Sequence, residues 1–553
     1  MVSLVHVVAS RRTRITREGL VALTLCAALL TLSVTNAAQS GAGENALRLR
    51  VEEIRLKPAT VVRGERLLYP EAVAKFFEAR AFAPVWRVPK ATDEVLKAIR
   101  ASELDGLTPA DYHLAAIGSA LDAQSRAPSN ELTTELQLLV ADAVAGLADH
   151  VRFGKVKPST LDKRWNVDPR VDAPPLETTL DAIVKAPAID AAIEGLKPKH
   201  FIYLGLKQAL ARQRALATAG GWTATPVTGP SIKAGASDPR VPAIRKRLSI
   251  TGELTNASAS DQSYDADLQT AVKNFQAHNR LTDDGVIGRG TLDAMNVSAD
   301  ARVGQLRVNL ERARWVVGGL RDTFILVNLP AFKVYVIRDR KNVWETRTQI
   351  GREARQTPTF RAEMKYLVLN PDWTVPPTIL AQDVLAGMRK GQNMIAKKRL
   401  TILDDQGKAV DPASIDWQNA TPRTFRYTLR QPPGPDNALG RVKFIFPNEY
   451  SIFLHDTPSR ELFAADQRTF SSGCIRIENP LDLARLLLEG NGAWTKDKIQ
   501  EVVDSKQSQT VFLDTPLQVL IVYWTASVGA TGEVRFAKDV YALDAPLLRA
   551  LNR

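Results

Sequence analysis

The chain has 553 residues, more than one hydrophobic core usually organises, so several domains are expected. Hydrophobic residues at 45% and charged ones at 24% describe ordinary globular protein. The formal net charge of +13 suits a nucleic acid, an anionic membrane face or a polyanionic cell wall; with no basic reading helix and no aromatic RNA platform in the sequence, nucleic acid is excluded as a partner.

Residues 1–38 read as a secretory signal: Arg11, Arg12, Arg14 and Arg17 precede an apolar run from Gly19 to about Val34 that ends in small residues through Ala37 and Ala38. Cys26 reads as apolar filler, because Leu25 occupies the position where a lipid-modified cysteine wants a small residue. The reading places the mature protein in the periplasm; an uncleaved signal would hold it at the inner membrane. No later stretch is long and apolar enough to span a bilayer.

Residues 39–216 carry mostly helical spacing and read as a scaffold, in which His113, His150 and His200 are satisfied structural histidines. Residues 217–237, rich in Gly, Thr, Pro and Ala, read as a linker. Residues 238–298 read as three short helices, with Leu268, Val272, Phe275 and Leu281 near one face and Asp284-Gly285 in a tight turn; His278 has no partner nearby in the sequence. The run Ala271-Val272-Lys273-Asn274-Phe275-Gln276, followed by Asp284-Gly285-Val286-Ile287-Gly288-Arg289-Gly290-Thr291, resembles a three-helix peptidoglycan-binding module. Residues 299–322 are expected to hold an amphipathic connecting helix.

From 323 to 553 the period changes to two, and short β-branched and aromatic runs such as FILVNLP, FKVYVIRD, VKFIFP and YSIFLHD read as strands. Residues 375–430 interrupt them as a helical and loop insertion, a lid beside the site. The expected fold is multidomain α+β: helical scaffold, three-helix module and β-rich domain with an insertion.

Cys474 is the only cysteine left after the signal, and His455, 19 residues earlier, is the only histidine after His278. An unpaired thiol in an exported protein is either an intermolecular bridge or a reactive group, and a nucleophilic thiol needs a base or a positive charge nearby. Alternation along YSIFLH puts Ser451, Phe453 and His455 on one face, and extended CIRI puts Cys474 and Arg476 together. Gly473 allows main-chain N–H groups beside Cys474 to face a developing oxyanion.

His455, the spacer and Ser471-Ser472-Gly473-Cys474-Ile475-Arg476 resemble the L,D-transpeptidases, and the layout of scaffold, wall-binding module and catalytic domain is similar to their large Gram-negative branch. The segments Asn370-Pro371-x-Trp373, Pro433-Gly434-x-x-Asn437-x-Leu439-Gly440 and Phe446-Pro447-Asn448 also look like that branch. Many members carry a second histidine where this chain has Ser472, which leaves His455 as the only base. The resemblance implies cofactor-free and metal-free acyl transfer on peptidoglycan stem peptides and acylation by carbapenems. Cys474 is then the nucleophile, His455 the general acid and base, oriented by the Asp456 carbonyl, and Gly473 part of the oxyanion hole. Arg476, Ser472 and Trp373 are the candidate substrate-binding residues. Water, a free D-amino acid or a protein lysine as acceptor, or a non-catalytic wall-binding scaffold, are the alternatives.

Overall fold

A computed structural model describes residues 44–86, 90–163, 165–255, 261–529 and 531–553. The expected signal at 1–38, with Cys26, lies outside them. The described chain forms two compact units, one holding the residues up to Glu103 with Thr108–Arg152 and Ala173–Lys197, the other holding Leu104–Leu107, Phe153–Asp172 and Pro198–Arg553.

The first unit is helical around Asn130–Phe153, which is buried along most of its length. Asp142, fully buried in that helix, accepts the N–H groups of Leu68 and Tyr69 and bonds His113 Nε2, each at 2.7 Å. His150 Nδ1 lies 3.0 Å from Tyr112 Oη. These histidines are held by structural partners, as buried polar groups require.

In the second unit, Phe201–Thr218 packs its Tyr203, Leu206 and Leu210 against Leu306 and Leu310 of helix Ala299–Val317. The expected scaffold limit at 216 thus cuts through a helix that belongs to this core. Ala299–Val317 also differs from the amphipathic connector expected for it: fourteen of its nineteen residues are buried, including Glu311 and Arg314. Arg314 Nη1 lies 2.9 Å from Glu311, which also accepts the Val156 N–H at 2.7 Å; burial still raises the Glu311 pKa against these two partners.

The three-helix module comprises Val241–Thr251, Ala266–His278 and Arg289–Met295 around Ile244, Leu248, Leu268, Val272, Phe275 and Leu292. Gln276 closes the Asp-Gly turn, donating to Asp284, Val286 O and Thr291 and accepting from Gly285 N. Gly285, at φ +75°, makes that turn without strain. Ile232, inside the expected linker, is buried in the module core and bridges Ile287.

The main sheet of the β-rich domain has nine strands among the described residues: β1 Phe324–Asn328, β2 Lys333–Arg338, β3 Lys341–Gly351, β4 Phe360–Leu369, β5 Val442–Ile445, β6 Leu454–His455, β7 Thr469–Ser471, β8 Ile475–Ile477 and β9 Gln509–Val522. Their order is β7-β3-β8-β6-β5-β4-β9-β1-β2, and β3 also pairs with β2, so the sheet curls back on itself. Val442, Phe444, Leu454, Ile475 and Ile477 fill its core. The segment after β4 forms a small sheet of Trp373–Thr374, Thr428–Gln431 and Thr401–Leu403 with short helices. It has its own apolar core of Val384, Leu385, Ile402, Phe425 and Leu429. A π-helical turn, Leu380–Leu385, lies between two of its helices.

Candidate active site

Two short strands bring the thiol and the imidazole together. β6 and β8 run parallel, with Leu454 opposite Ile475 and His455 opposite Arg476. Leu454, Ile475 and Ile477 point into the core with no exposure, so alternation turns Phe453, His455, Cys474 and Arg476 to the other face. Cys474 and His455 are then diagonal neighbours on one face of adjacent strands. The Ile475 N–H donates to Phe453 O at 3.1 Å and fixes this register beside the cysteine.

Ser451 departs from the expected alternation. Its φ is +54°, because Asn448 folds the chain back: its Oδ1 accepts from Tyr450 N and Ile452 N, and its Nδ2 donates to Phe446 O and Ile452 O. The Ser451 carbonyl is thereby turned to the site, where it accepts the Cys474 thiol at 3.7 Å.

His455 is buried, and its Nδ1 bonds the Asp456 carbonyl, the tautomer that leaves Nε2 as the acceptor. The Asp456 carboxylate points elsewhere, accepting from Arg441 N at 2.9 Å, Thr457 N at 2.8 Å and Arg460 Nη2 at 2.7 Å. Gly440 makes room for it, since a Cβ there would stand 2.4 Å from Asp456 Cγ. Burial first, then the Arg476 charge, lowers the His455 pKa to about 3. Burial raises the Cys474 pKa to about 11 against the pull of the Phe453 backbone and of Lys443 and Arg476. The resting pair is therefore a neutral thiol beside a neutral imidazole.

The loop before Cys474 is pinned at each residue. Ser471 Oγ donates to Cys474 O at 2.6 Å and accepts the Gly473 N–H at 3.0 Å. Thr357 Oγ1 donates to Gly473 O at 2.7 Å. Gly473 has φ +122°, a conformation side chains avoid, and a Cβ there would stand 3.2 Å from Ile452 Cδ1. This corrects one expectation: the Gly473 N–H is spent on Ser471, and glycine is required at this position for its backbone shape.

Ser472 Oγ accepts from Arg355 Nη1 at 2.9 Å, and the same guanidinium forks onto Asp383 at 3.0 and 2.8 Å and reaches Gln382 Oε1 at 2.9 Å. One arginine thus ties the π-helical turn of the insertion to the residue two before the nucleophile. Ser472 is accordingly occupied by protein. Arg476 Nη1 donates to Gln349 at 3.1 Å, while its buried Nε has no protein partner among the described residues. Lys443 pairs with His455 across β5 and β6, and its Nζ sits 4.0 Å from the Phe453 ring centroid. Trp373 is 8% exposed and packs within the insertion core, which corrects its expected place in the acyl pocket.

Lys443, Arg355, Asp383 and Thr357 escape a sequence reading. They are distant in the chain from Cys474, and nothing local distinguishes them from surface charge; only the alternation of VKFIFP hinted that Lys443 faces away from the core.

Three stretches match protein-family models: residues 71–210 a scaffold domain, residues 237–295 a "Putative peptidoglycan binding domain", and residues 322–531 the L,D-transpeptidase catalytic domain. A Haemophilus influenzae protein named "Putative L,D-transpeptidase" is 37% identical over 240 residues, 43% of this chain and 48% of that protein. This chain therefore spans about half the length of that curated relative. Solved L,D-transpeptidase structures from Xylanimonas cellulosilytica and Stackebrandtia nassauensis align with 54% of this chain and with 100% and 97% of theirs, at 13% and 12% identity and TM-scores of 0.17 and 0.22. Residues 322–531 thus match an L,D-transpeptidase catalytic domain, on one chain with residues 237–295 that match a putative peptidoglycan-binding domain.

Proposed function

We propose that this protein is a periplasmic peptidoglycan L,D-transpeptidase that joins stem peptides through a thioester on Cys474. The parallel register of β6 and β8, which sets Cys474 and His455 on one face of adjacent strands, is the observation that carries the reading. Cys474 Sγ attacks the carbonyl of the third stem residue, an L-centred diamino acid, as His455 Nε2 takes the thiol proton. The C–N bond to the terminal D-alanine breaks, its amine leaves with the proton from His455, and the acyl group stays on sulfur. The side-chain amine of a neighbouring stem then attacks the thioester, gives a proton to His455, and the thiolate departs and is reprotonated.

With the Gly473 N–H engaged, the main-chain donor for the oxyanion is the Cys474 N–H; one such donor is worth about 3 kcal/mol. The developing thiolate gains from Lys443 and Arg476, both drawn toward Cys474 by charge. Arg476, which among the described residues donates to protein through Nη1, is assigned to the substrate carboxylate. Because substrate acts outside the cytoplasm, the export reading of residues 1–38 fits this role; no helix among the described residues is long and apolar enough to cross a membrane.

A carbapenem incubated with the protein should add its mass once, on Cys474, and Cys474→Ala should abolish both adduct and product. Mass spectrometry of tetrapeptide stems should show the cross-linked dimer; a hydrolysed tripeptide or an exchanged stem as sole product would replace transpeptidation by carboxypeptidase or exchange chemistry.

The pH dependence follows from the neutral pair. With the thiol near 11, thiolate is roughly one part in ten thousand at pH 7 and its fraction rises tenfold per pH unit. Alkylation of Cys474 by iodoacetamide should climb from pH 6 to 10 without a plateau; a plateau reached near pH 6 would indicate a thiolate–imidazolium pair instead.

Arg355→Ala releases both Ser472 and Asp383. Carbapenem acylation should slow about tenfold, about 1.4 kcal/mol of barrier, with the melting temperature little changed. An unaltered rate would show that the clamp does not position the nucleophile loop.

A further inference from the structure

A cavity of about 340 Å³ opens where the three-helix module meets helix Phe201–Thr218, helix Ala299–Val317 and the hairpin formed by Ala526–Val528 and Val534–Phe536. Its size falls in the range of small-molecule sites. Two arginines, Arg247 at 3% and Arg302 at 7% exposure, stand in its wall. Arg247 stacks 3.6 Å above the Trp222 ring and donates to Met295 O at 3.0 Å and Thr251 Oγ1 at 2.8 Å. Arg302 lies 4.1 Å over Phe536 and donates to Gln305 Oε1 at 2.8 Å and Asn279 Oδ1 at 2.6 Å.

Each of those hydrogen-bond acceptors is neutral, and among the described residues neither guanidinium is in an ion pair with a carboxylate. Of the two carboxylates in the wall, Glu253 accepts from Thr251 and lies 3.3 Å from His278 Nδ1, and Glu533 pairs with Arg535 at 2.6 Å. His278, which lacks a partner in the sequence, thus has one in the fold. Arg212, the remaining cation in the wall, donates to Gly532 O. Glu253 lies close enough to favour the charge on Arg247, while the two arginines oppose one another. Buried charges are costly until paired, and a guanidinium is suited to the two oxygens of a carboxylate.

We propose that this cavity binds the free carboxylate of a wall peptide, seating a stem on Arg247 and Arg302 at the junction of the wall-binding module with the catalytic domain. The assignment rests on the peptidoglycan reading above. Aromatic rings behind both guanidiniums leave an apolar floor for the aliphatic part of a peptide terminus.

The test uses the full chain carrying Cys474→Ala, titrated calorimetrically with a stem tetrapeptide, the same peptide as its C-terminal amide, and inorganic phosphate. Two peptides should bind per chain, one in the catalytic groove and one in the cavity. Arg302→Gln should remove one of them and Arg302→Lys should weaken it less. Asn274→Trp, which fills the cavity from an exposed lining position and leaves both arginines in place, should also remove it. The amide should bind the cavity at least tenfold more weakly. Stoichiometry unchanged by Asn274→Trp, amide binding equal to the acid, or phosphate displacing the peptide at equal concentration would each overturn the proposal. Carbapenem adduct formation on the unmodified chain is read separately, so failure of the cavity and failure of the enzyme reading give different results.

Discussion

The chemistry proposed for this protein depends on a parallel pairing between two very short strands, Leu454–His455 and Ile475–Ile477. Neither is long enough to be stable alone. Each is held because Leu454, Ile475 and Ile477 are driven into the core of the curled sheet, and the burial of those three side chains fixes which face the others occupy. A slip of one residue would send the thiol inward and an isoleucine outward. The same pairing sets Arg476 opposite His455, while β5 adds Lys443 on the other side. An imidazole, a thiol and two cations thus share one face.

Electrostatics then determine the resting state. His455 is buried and Cys474 half-buried, so both partners lose by being charged, and the flanking cations disfavour an imidazolium while assisting a thiolate. This site therefore differs from one that stores a thiolate–imidazolium pair. It keeps an uncharged thiol, and in the proposed reaction charge develops only on the way to the thioester, where Lys443 and Arg476 have most effect. The Asp456 carbonyl assigns the tautomer, and the Asp456 carboxylate secures that carbonyl by bonding to Arg441, Thr457 and Arg460.

Much of this was legible in the chain. A lone cysteine, a lone histidine at short separation and the pattern Ser-x-Gly-Cys-x-Arg point to the pair directly, and the period-two runs announce the sheet that carries them. What local pattern cannot convey is which partner a group already has. Gly473 looked like an oxyanion donor until its N–H met Ser471 Oγ, and Trp373 looked like a pocket wall until the insertion closed over it. Ser451 was misplaced because a side-chain turn from Asn448 overrides strand alternation. Arg355 was invisible because its partners, Asp383 and Ser472, approach it only through the tertiary fold. The helix Ala299–Val317 read as amphipathic, yet fourteen of its nineteen residues are buried, with Glu311 and Arg314 paired to each other inside the second unit.

The central claim, an uncharged imidazole holding its proton on Nδ1 beside an uncharged thiol, is most directly tested by nitrogen-15 NMR of His455 across a pH titration. The account predicts a single Nδ1–H tautomer whose shifts stay constant from pH 9 down to about pH 4. A His455 signal that titrates near pH 6.5, or one that reports the Nε2–H tautomer, would contradict it.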